Sequence, residues 1–208
     1  MHGLVRGDQM ELGKDADTGG QVKYVVELAK ALSRHPAVHR VDLLTRLIRD
    51  PSVDGSYGEA EELLAEGSGG GRLGGARIVR IAKEALWPYV REFADNALAH
   101  VTATMGRLAA AGEVCELYHI HGHYGDAGEA AALMSFTLGC DMVLTGHSLG
   151  RNKLEHLLKG RTMSRQEIES VYAISRRIEA EERSLDAALV VFTSTQQEVR
   201  DQWGLYDG

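Results

Sequence analysis

Cysteine is scarce in this chain: 208 residues contain two, Cys115 and Cys140, with no C-x-x-C pair. That argues against a disulfide framework and against a zinc-finger site, and it fits a reducing, cytoplasmic location. Proline is nearly as rare, with three residues, so a Pro-rich linker is not expected. Positive charge is in deficit, 23 Lys and Arg against 30 Asp and Glu, for a net charge of −7. An acidic chain lacks the basic footprint of a general nucleic-acid binder. No apolar run approaches the roughly 20 residues needed to span a bilayer, so no membrane partner is expected. The opening stretch, Met1 to Gly7, has no apolar core of a secretory signal. What remains is ordinary for a globular protein, 44% hydrophobic and 25% charged, with enough apolar surface for a core. The length suits one large domain or two small ones.

Short apolar runs recur, each followed by a loop rich in Gly, His or Ser and then by a segment of helical period. That alternation marks an α/β protein with a parallel sheet. Val22, Val25, Val26, Ala29 and Leu32 form one stripe and predict a helix from about Gly20 to Arg34. Val41 to Thr45 reads as a buried strand. Residues 50 to 75 are polar and glycine-rich and read as a loop, with some helix around Glu59 to Leu64. Ala76 to Ile81 reads as a strand, and Pro88 suits the first turn of a long helix that Gly112 stops. Its stripe is Phe93, Ala97, Val101, Met105 and Leu108. Leu117 to Ile120 is the next strand, with Gly122 ending it. Asp126 and Glu129 have capping-box spacing for a helix to about Leu138. Met142 to Thr145 is a strand. Ser164 and Glu167 make a second capping box for one long helix to about Leu185. Leu189 to Thr193 is the last strand, and Ser194 with Gln197 caps a final helix. The chain opens in a loop with no strand before His2-Gly3, which is the pattern of a piece of something longer.

In open parallel sheets, ligands sit beyond the carboxyl ends of the strands, and the unusual residues cluster there. Asp17-Thr18-Gly19-Gly20-Gln21 precedes the first helix. Glycines allow close backbone approach, and a helix N-terminus favours phosphate; a flexible turn with a cap fits the same residues. His119, His121 and His123 alternate, so an extended chain would put them on one side. They read as polar groups lining a crevice, with a structural role for His119; no metal or cofactor is called for. Gly146-His147-Ser148-Leu149-Gly150 is not the G-x-S-x-G elbow of hydrolases, because the serine is one place late. It offers an imidazole, a hydroxyl and, at Lys153, a cation that could pair with a phosphate, or a polar loop with a solvated lysine. Arg176 and Arg177 point about 100° apart on a helix, so at most one can face a crevice. With Glu179, Glu181 and Glu182 following, they also read as a solvated salt-bridge face. Lys83, near Trp87-Pro88, stands alone.

Taken as an ordered set, these motifs closely resemble the start of the glycosyltransferase domain of sucrose-phosphate synthases. The resemblance runs through His2 to Gly7, Met10 to Gly13, Asp17 to Ala29, Val41 to Arg46, Leu86 to Tyr89, His121 to Gly128, Leu144 to Lys153, Arg176 to Glu181 and Gln202 to Gly208. Sucrose synthases share the Asp-Thr-Gly-Gly-Gln element. The resemblance implies a GT-B architecture, in which residues 1–208 would be a single Rossmann-like, acceptor-side N-terminal domain with helices on both faces of a parallel sheet, lacking its first strand and the donor-nucleotide C-terminal domain. It implies transfer of glucose from UDP-glucose to fructose 6-phosphate, giving sucrose 6-phosphate with retention.

Residue by residue, the resemblance implies that Gly19, Gly20 and Gln21 face the sugar nucleotide and acceptor. Lys83, Lys153 and one of Arg176 or Arg177 would clamp the acceptor phosphate. Tyr124 and Ser148 would contact the fructose part, and His147 would touch the transferred glucose as the catalytic residue. The family's longer basic, proline-containing stretch before Lys83 is absent here. No Asp or Glu stands out as a covalent nucleophile, so a front-face transfer resting on positioning and charge stabilisation fits best. The alternatives are a non-catalytic sugar-phosphate binding module and a related sucrose synthase-type glycosyltransferase. A dinucleotide-dependent dehydrogenase is disfavoured, because there is no G-x-G-x-x-G at a first strand-to-helix turn.

Overall fold

Two stretches of apolar periodicity, one on each side of residue 116, organise two compact units, residues 1–116 and 117–208. The computed structural model describes residues 3–14, 19–68, 72–82, 89–147, 149–160, 163–193 and 195–206.

In the first unit, α1 (Gly20–Ser33) buries Val22, Val25, Val26 and Ala29, the stripe expected from the sequence. The three valines form a core with Val5, Leu43 and Ile78. β1 (Arg40–Leu47) pairs in parallel with β3 (Gly75–Ala82), with Leu43 opposite Ile78. β2 (Glu61–Ala65) pairs antiparallel on the other side of β3. The helix expected around Glu59 to Leu64 is therefore a strand, preceded by a 3-10 turn at Gly55–Gly58. Glu-Glu-Leu-Leu-Ala favours helix by intrinsic preference, but a tertiary demand overrides it. Arg80 is 4% exposed in the middle of the sheet and needs a partner. It pairs with Glu62 and donates to the Val5 carbonyl at 3.0 Å. Glu62 also accepts from the Gly7 amide at 2.6 Å, which fixes residues 4–7 to the sheet. α2 (Val90–Ala110) buries Phe93, Ala97 and Leu108. Gly112, at φ +79°, lies just past its end in a conformation that favours glycine. Pro88 lies outside the described residues.

In the second unit, β4 (His119–His123), β5 (Asp141–Thr145) and β6 (Val190–Phe192) form a parallel sheet in the order β4-β5-β6. Gly122 does not end the first of these strands; it pairs with Leu144 inside the ladder. α3 (Tyr124–Leu138) follows β4 directly. The expected Asp126–Glu129 capping box is not formed, because the helix begins earlier. His123 is its N-cap, Asp126 Oδ1 accepts from the neighbouring Ala127 amide at 2.8 Å, and Glu129 pairs with Arg183 at 3.3 Å. α4 (Gly150–Lys159) begins in a segment that reads from the sequence as polar loop.

The single long helix expected after Ser164 is two helices, α5 (Arg165–Tyr172) and α6 (Ile174–Ala187). The Ser164–Glu167 capping box is present, and the break is at Ala173, which is left-handed with φ 44°. A non-glycine residue there costs about 1–2 kcal/mol. α7 (Gln196–Asp201) takes its cap from Thr195, which accepts from the Glu198 amide; Ser194 lies outside the described residues. A 3-10 turn at Trp203–Leu205 follows.

Two glycines let the backbone of α3 lie against α6. A Cβ on Gly128 would sit 2.5 Å from Ser184 Oγ, and one on Gly125 would sit 3.0 Å from Glu181 Cγ. Gly128→Ala should therefore destabilise the protein by about 1–3 kcal/mol. Gly106→Ala, on α2 with open space where its Cβ would stand, should instead be neutral or stabilising, by about 0.5–1 kcal/mol. Urea melts of the two variants check this, and equal midpoints would contradict the close α3–α6 approach.

Candidate active site at the strand ends of the second unit

β4 places His119, His121 and His123 on one side of the sheet, as alternation requires. The His121 and His123 rings stack at 4.1 Å between centroids, and His119 lies 6.3 Å from His121. His121 Nε2 meets the hydroxyl of buried Thr145 at 2.8 Å. His123 Nδ1 meets His147 Nε2 at 3.1 Å, across from β4 to the loop after β5. Among the described residues no group of three or more His, Cys, Asp or Glu is arranged to hold a metal ion.

Burial keeps these rings neutral. It lowers the His121 pKa to about 4, helped by His119 and His147, and the His123 pKa to about 2, helped by His121 and His147. His119 is lowered by burial against the pull of Asp141, and His147 by burial against Glu198.

Two non-glycine residues at these strand ends are left-handed, Tyr124 with φ 77° and His147 with φ 57°. Such strain persists only where surrounding contacts hold it, and it gathers at functional sites. The Tyr124 and His147 rings are 6.4 Å apart. On the Tyr124 ring lies the Arg177 guanidinium, 4.3 Å from its centroid. Arg176 is exposed on the same helix. Of the adjacent arginines, Arg177 is thus the one turned toward Tyr124.

Arg177 is held by Glu181, one helical turn on, at 3.1 Å. Glu181 is 3% exposed and is not part of a solvated face. Besides Arg177 it accepts from the Gly150 amide at 2.7 Å and from the Tyr206 hydroxyl. Burial, then the Glu181 charge and hydrogen bond, push the Tyr206 phenol up, so it remains a donor. Gln202 accepts from the Leu149 amide at 3.3 Å. The turn at residues 202–206 thereby anchors the loop that carries His147. Glu181 was the functional signal hidden in the sequence: its i,i+4 spacing from Arg177 marks a pair, but the neighbouring glutamates disguise it as surface.

The structure thus brings together His147, Tyr124 and Arg177. The Lys153 ammonium, on α4, lies 4.0 Å from the Tyr172 ring centroid. Gly19, Gly20 and Gln21 stand at the start of α1 in the first unit. Gly19 is the N-cap, and the space above Gly20 is open. Lys83 and Ser148 lie outside the described residues.

Residues 76–207 match the family described as the sucrose synthase first GT-B domain. The chain belongs to that family. Curated relatives of this GT-B domain include "Probable sucrose-phosphate synthase 1" of Oryza sativa subsp. indica and "Sucrose-phosphate synthase" of Zea mays, each 58% identical over 224 residues. "Probable sucrose-phosphate synthase 3" of Arabidopsis thaliana is 56% identical over 225 residues. Each alignment covers 100% of this chain and 21% of the relative, so the chain spans about a fifth of their length. A solved structure titled sucrose-phosphate synthase from Thermosynechococcus elongatus is similar with a TM-score of 0.56 at 22% identity, covering 88% of this chain and 39% of that one. The GT-B fold, of α/β class with parallel strands, is therefore that of this chain. Among the described residues, no helix is long and apolar enough to cross a membrane.

Two outcomes follow for this GT-B domain. Its buried imidazoles have folded pKa values below their unfolded value near 6.5. The unfolded chain then binds more protons, so this contribution to stability is complete above about pH 6.5 and is lost as pH falls, through about 4 for His121 and on toward about 2 for His123. Denaturant midpoints at pH 7.5 and 4.5 should show a smaller drop in His121→Asn than in the parent chain; equal drops would place His121 outside this environment. Glu181→Ala, which strips the half-buried Arg177 and two further donors of their acceptor, should cost about 3–5 kcal/mol in a urea melt.

Proposed function

We propose that residues 1–208 act as the single acceptor-side, N-terminal domain of a cytoplasmic retaining glucosyltransferase that moves glucose from UDP-glucose to fructose 6-phosphate, with the donor-nucleotide domain supplied by sequence outside this chain. The observation that carries the reading is the meeting of a neutral imidazole, a phenol and a guanidinium at adjacent strand ends. It occurs in a chain whose relatives are named sucrose-phosphate synthases.

The roles divide by charge. Arg177 and Lys153 pair with the acceptor phosphate, together with Lys83, and Arg176 stays outside. Tyr124 and Ser148 meet the fructose part. Gly19, Gly20 and Gln21 meet the donor and acceptor with backbone and amide groups at a helix N-terminus, which favours phosphate. His147 faces the transferred glucose as a neutral hydrogen-bonding group, so it orients a hydroxyl without placing a full charge beside the reacting carbon. In a front-face transfer the bond from the glucose anomeric carbon to the diphosphate breaks as the acceptor hydroxyl bonds to the same face. The departing diphosphate oxygen takes the acceptor proton. That route asks of the protein only alignment and charge stabilisation, for which the cations and oriented rings are suited.

A second reading follows from the matched family, whose description names sucrose synthase: the acceptor would then be free fructose. Calorimetric titration of the chain with fructose 6-phosphate and with fructose separates the two, and the phosphorylated sugar should bind at least tenfold more tightly. Lys153→Ala should weaken fructose 6-phosphate by about 1.5–3 kcal/mol, the worth of a charge-assisted bond, and an unchanged affinity would remove Lys153 from the clamp. With a relative's donor-side domain joined to the chain, glucosyl transfer should appear and His147→Ala should cut it more than it cuts stability. Binding without any transfer would make the chain a sugar-phosphate binding module.

A further inference from the structure

We infer that Tyr172 is a positioning residue whose ring face holds the Lys153 ammonium in place to meet an acceptor phosphate. The inference rests on the reading of Lys153 as a phosphate-binding cation.

Tyr172 is the last residue of α5 and is 37% exposed. Lys153 packs on its ring, with Nζ 4.0 Å from the ring centroid, well inside the range of a cation–π contact. Everything around Tyr172 fixes its place. The Ser164–Glu167 capping box secures the start of α5. Its end is set by the left-handed Ala173, whose amide donates to the Glu169 carbonyl at 2.9 Å. The Glu169 carboxylate reaches past the break to accept from the Ser175 amide at 3.1 Å and the Ser175 hydroxyl at 2.6 Å. A short helix ended by a strained alanine and tied down on both sides needs a reason, and the orientation of its terminal ring toward α4 supplies one.

The chemistry of the contact suits a phosphate site. A lysine side chain has four rotatable bonds and a large rotamer entropy. A ring face narrows that freedom without placing a negative charge beside the ammonium. A carboxylate in the same place would compete with the incoming anion. The same device recurs in this unit, with Arg177 over Tyr124 at 4.3 Å and Arg151 over Tyr206 at 5.1 Å.

Calorimetry of the chain with fructose 6-phosphate tests this in a double-mutant cycle. Tyr172→Leu should weaken binding roughly threefold to tenfold, Tyr172→Phe should restore it, and Tyr172→Leu should add nothing in a Lys153→Ala background. Phenylalanine at position 172 carrying increasing fluorine gives a second series that preserves shape, and affinity should fall with each fluorine. If Lys153→Ala weakens binding but neither Tyr172→Leu nor the fluorinated series does, the positioning role is overturned and the phosphate reading of Lys153 stands. If the effects of Lys153→Ala and Tyr172→Leu simply add, the role is likewise overturned. If Lys153→Ala itself changes nothing, the phosphate reading falls and this inference falls with it.

Discussion

The second unit is arranged around one buried carboxylate. Removing Glu181 from water carries a penalty of several kcal/mol, which is tolerable only because three donors converge on it: the Arg177 guanidinium, the Gly150 amide and the Tyr206 hydroxyl. They come from α6, the start of α4 and the turn after α7, so one side chain ties together three segments far apart in sequence. Two glycines make the room. A Cβ on Gly150 would lie 3.1 Å from the Glu181 carboxylate, and one on Gly125 would press on its Cγ. The placement of Arg177 over Tyr124, and of the loop bearing His147, is downstream of that carboxylate.

Electrostatically, the strand ends separate two kinds of group. The imidazoles of β4 and of the loop after β5 are held neutral by burial, reinforced at His121 and His123 by the neighbouring rings. The cations Arg177, Arg151 and Lys153 are each laid on a tyrosine ring. Neutral groups suit sugar hydroxyls and cations suit phosphate, so a ligand carrying both would find its two chemistries read by different residues.

Much of this was legible in the sequence. The stripe of α1, the strands β1 and β3, the body of α2 and the Ser164–Glu167 cap depend on local periodicity and on a side chain reaching its own backbone. Where the sequence misleads, a distant partner decides. Residues 61–65 favour helix but are drawn into a strand by the needs of buried Arg80. Asp126 and Glu129 have capping spacing, yet the helix starts at Tyr124 because β4 runs through Gly122 to His123. The break at Ala173 leaves no mark in composition, since alanine is the best helix former. Within the site, Tyr124, His147 and Arg177 could be picked out by residue type at strand and helix ends. Glu181 could not be told from its charged neighbours, because burial is a property of packing and not of pattern.

The contact between His123 and His147 joins one nitrogen of each neutral ring, so one must give a proton and the other a lone pair. A neutral imidazole has a single N–H, and the choice made at this contact therefore dictates the character of the other nitrogen of His147. If His123 gives, the second nitrogen of His147 is a donor; if His147 gives, that nitrogen is an acceptor. A ring buried in β4 thus governs the hydrogen-bond polarity of the second nitrogen of His147, in the loop after β5.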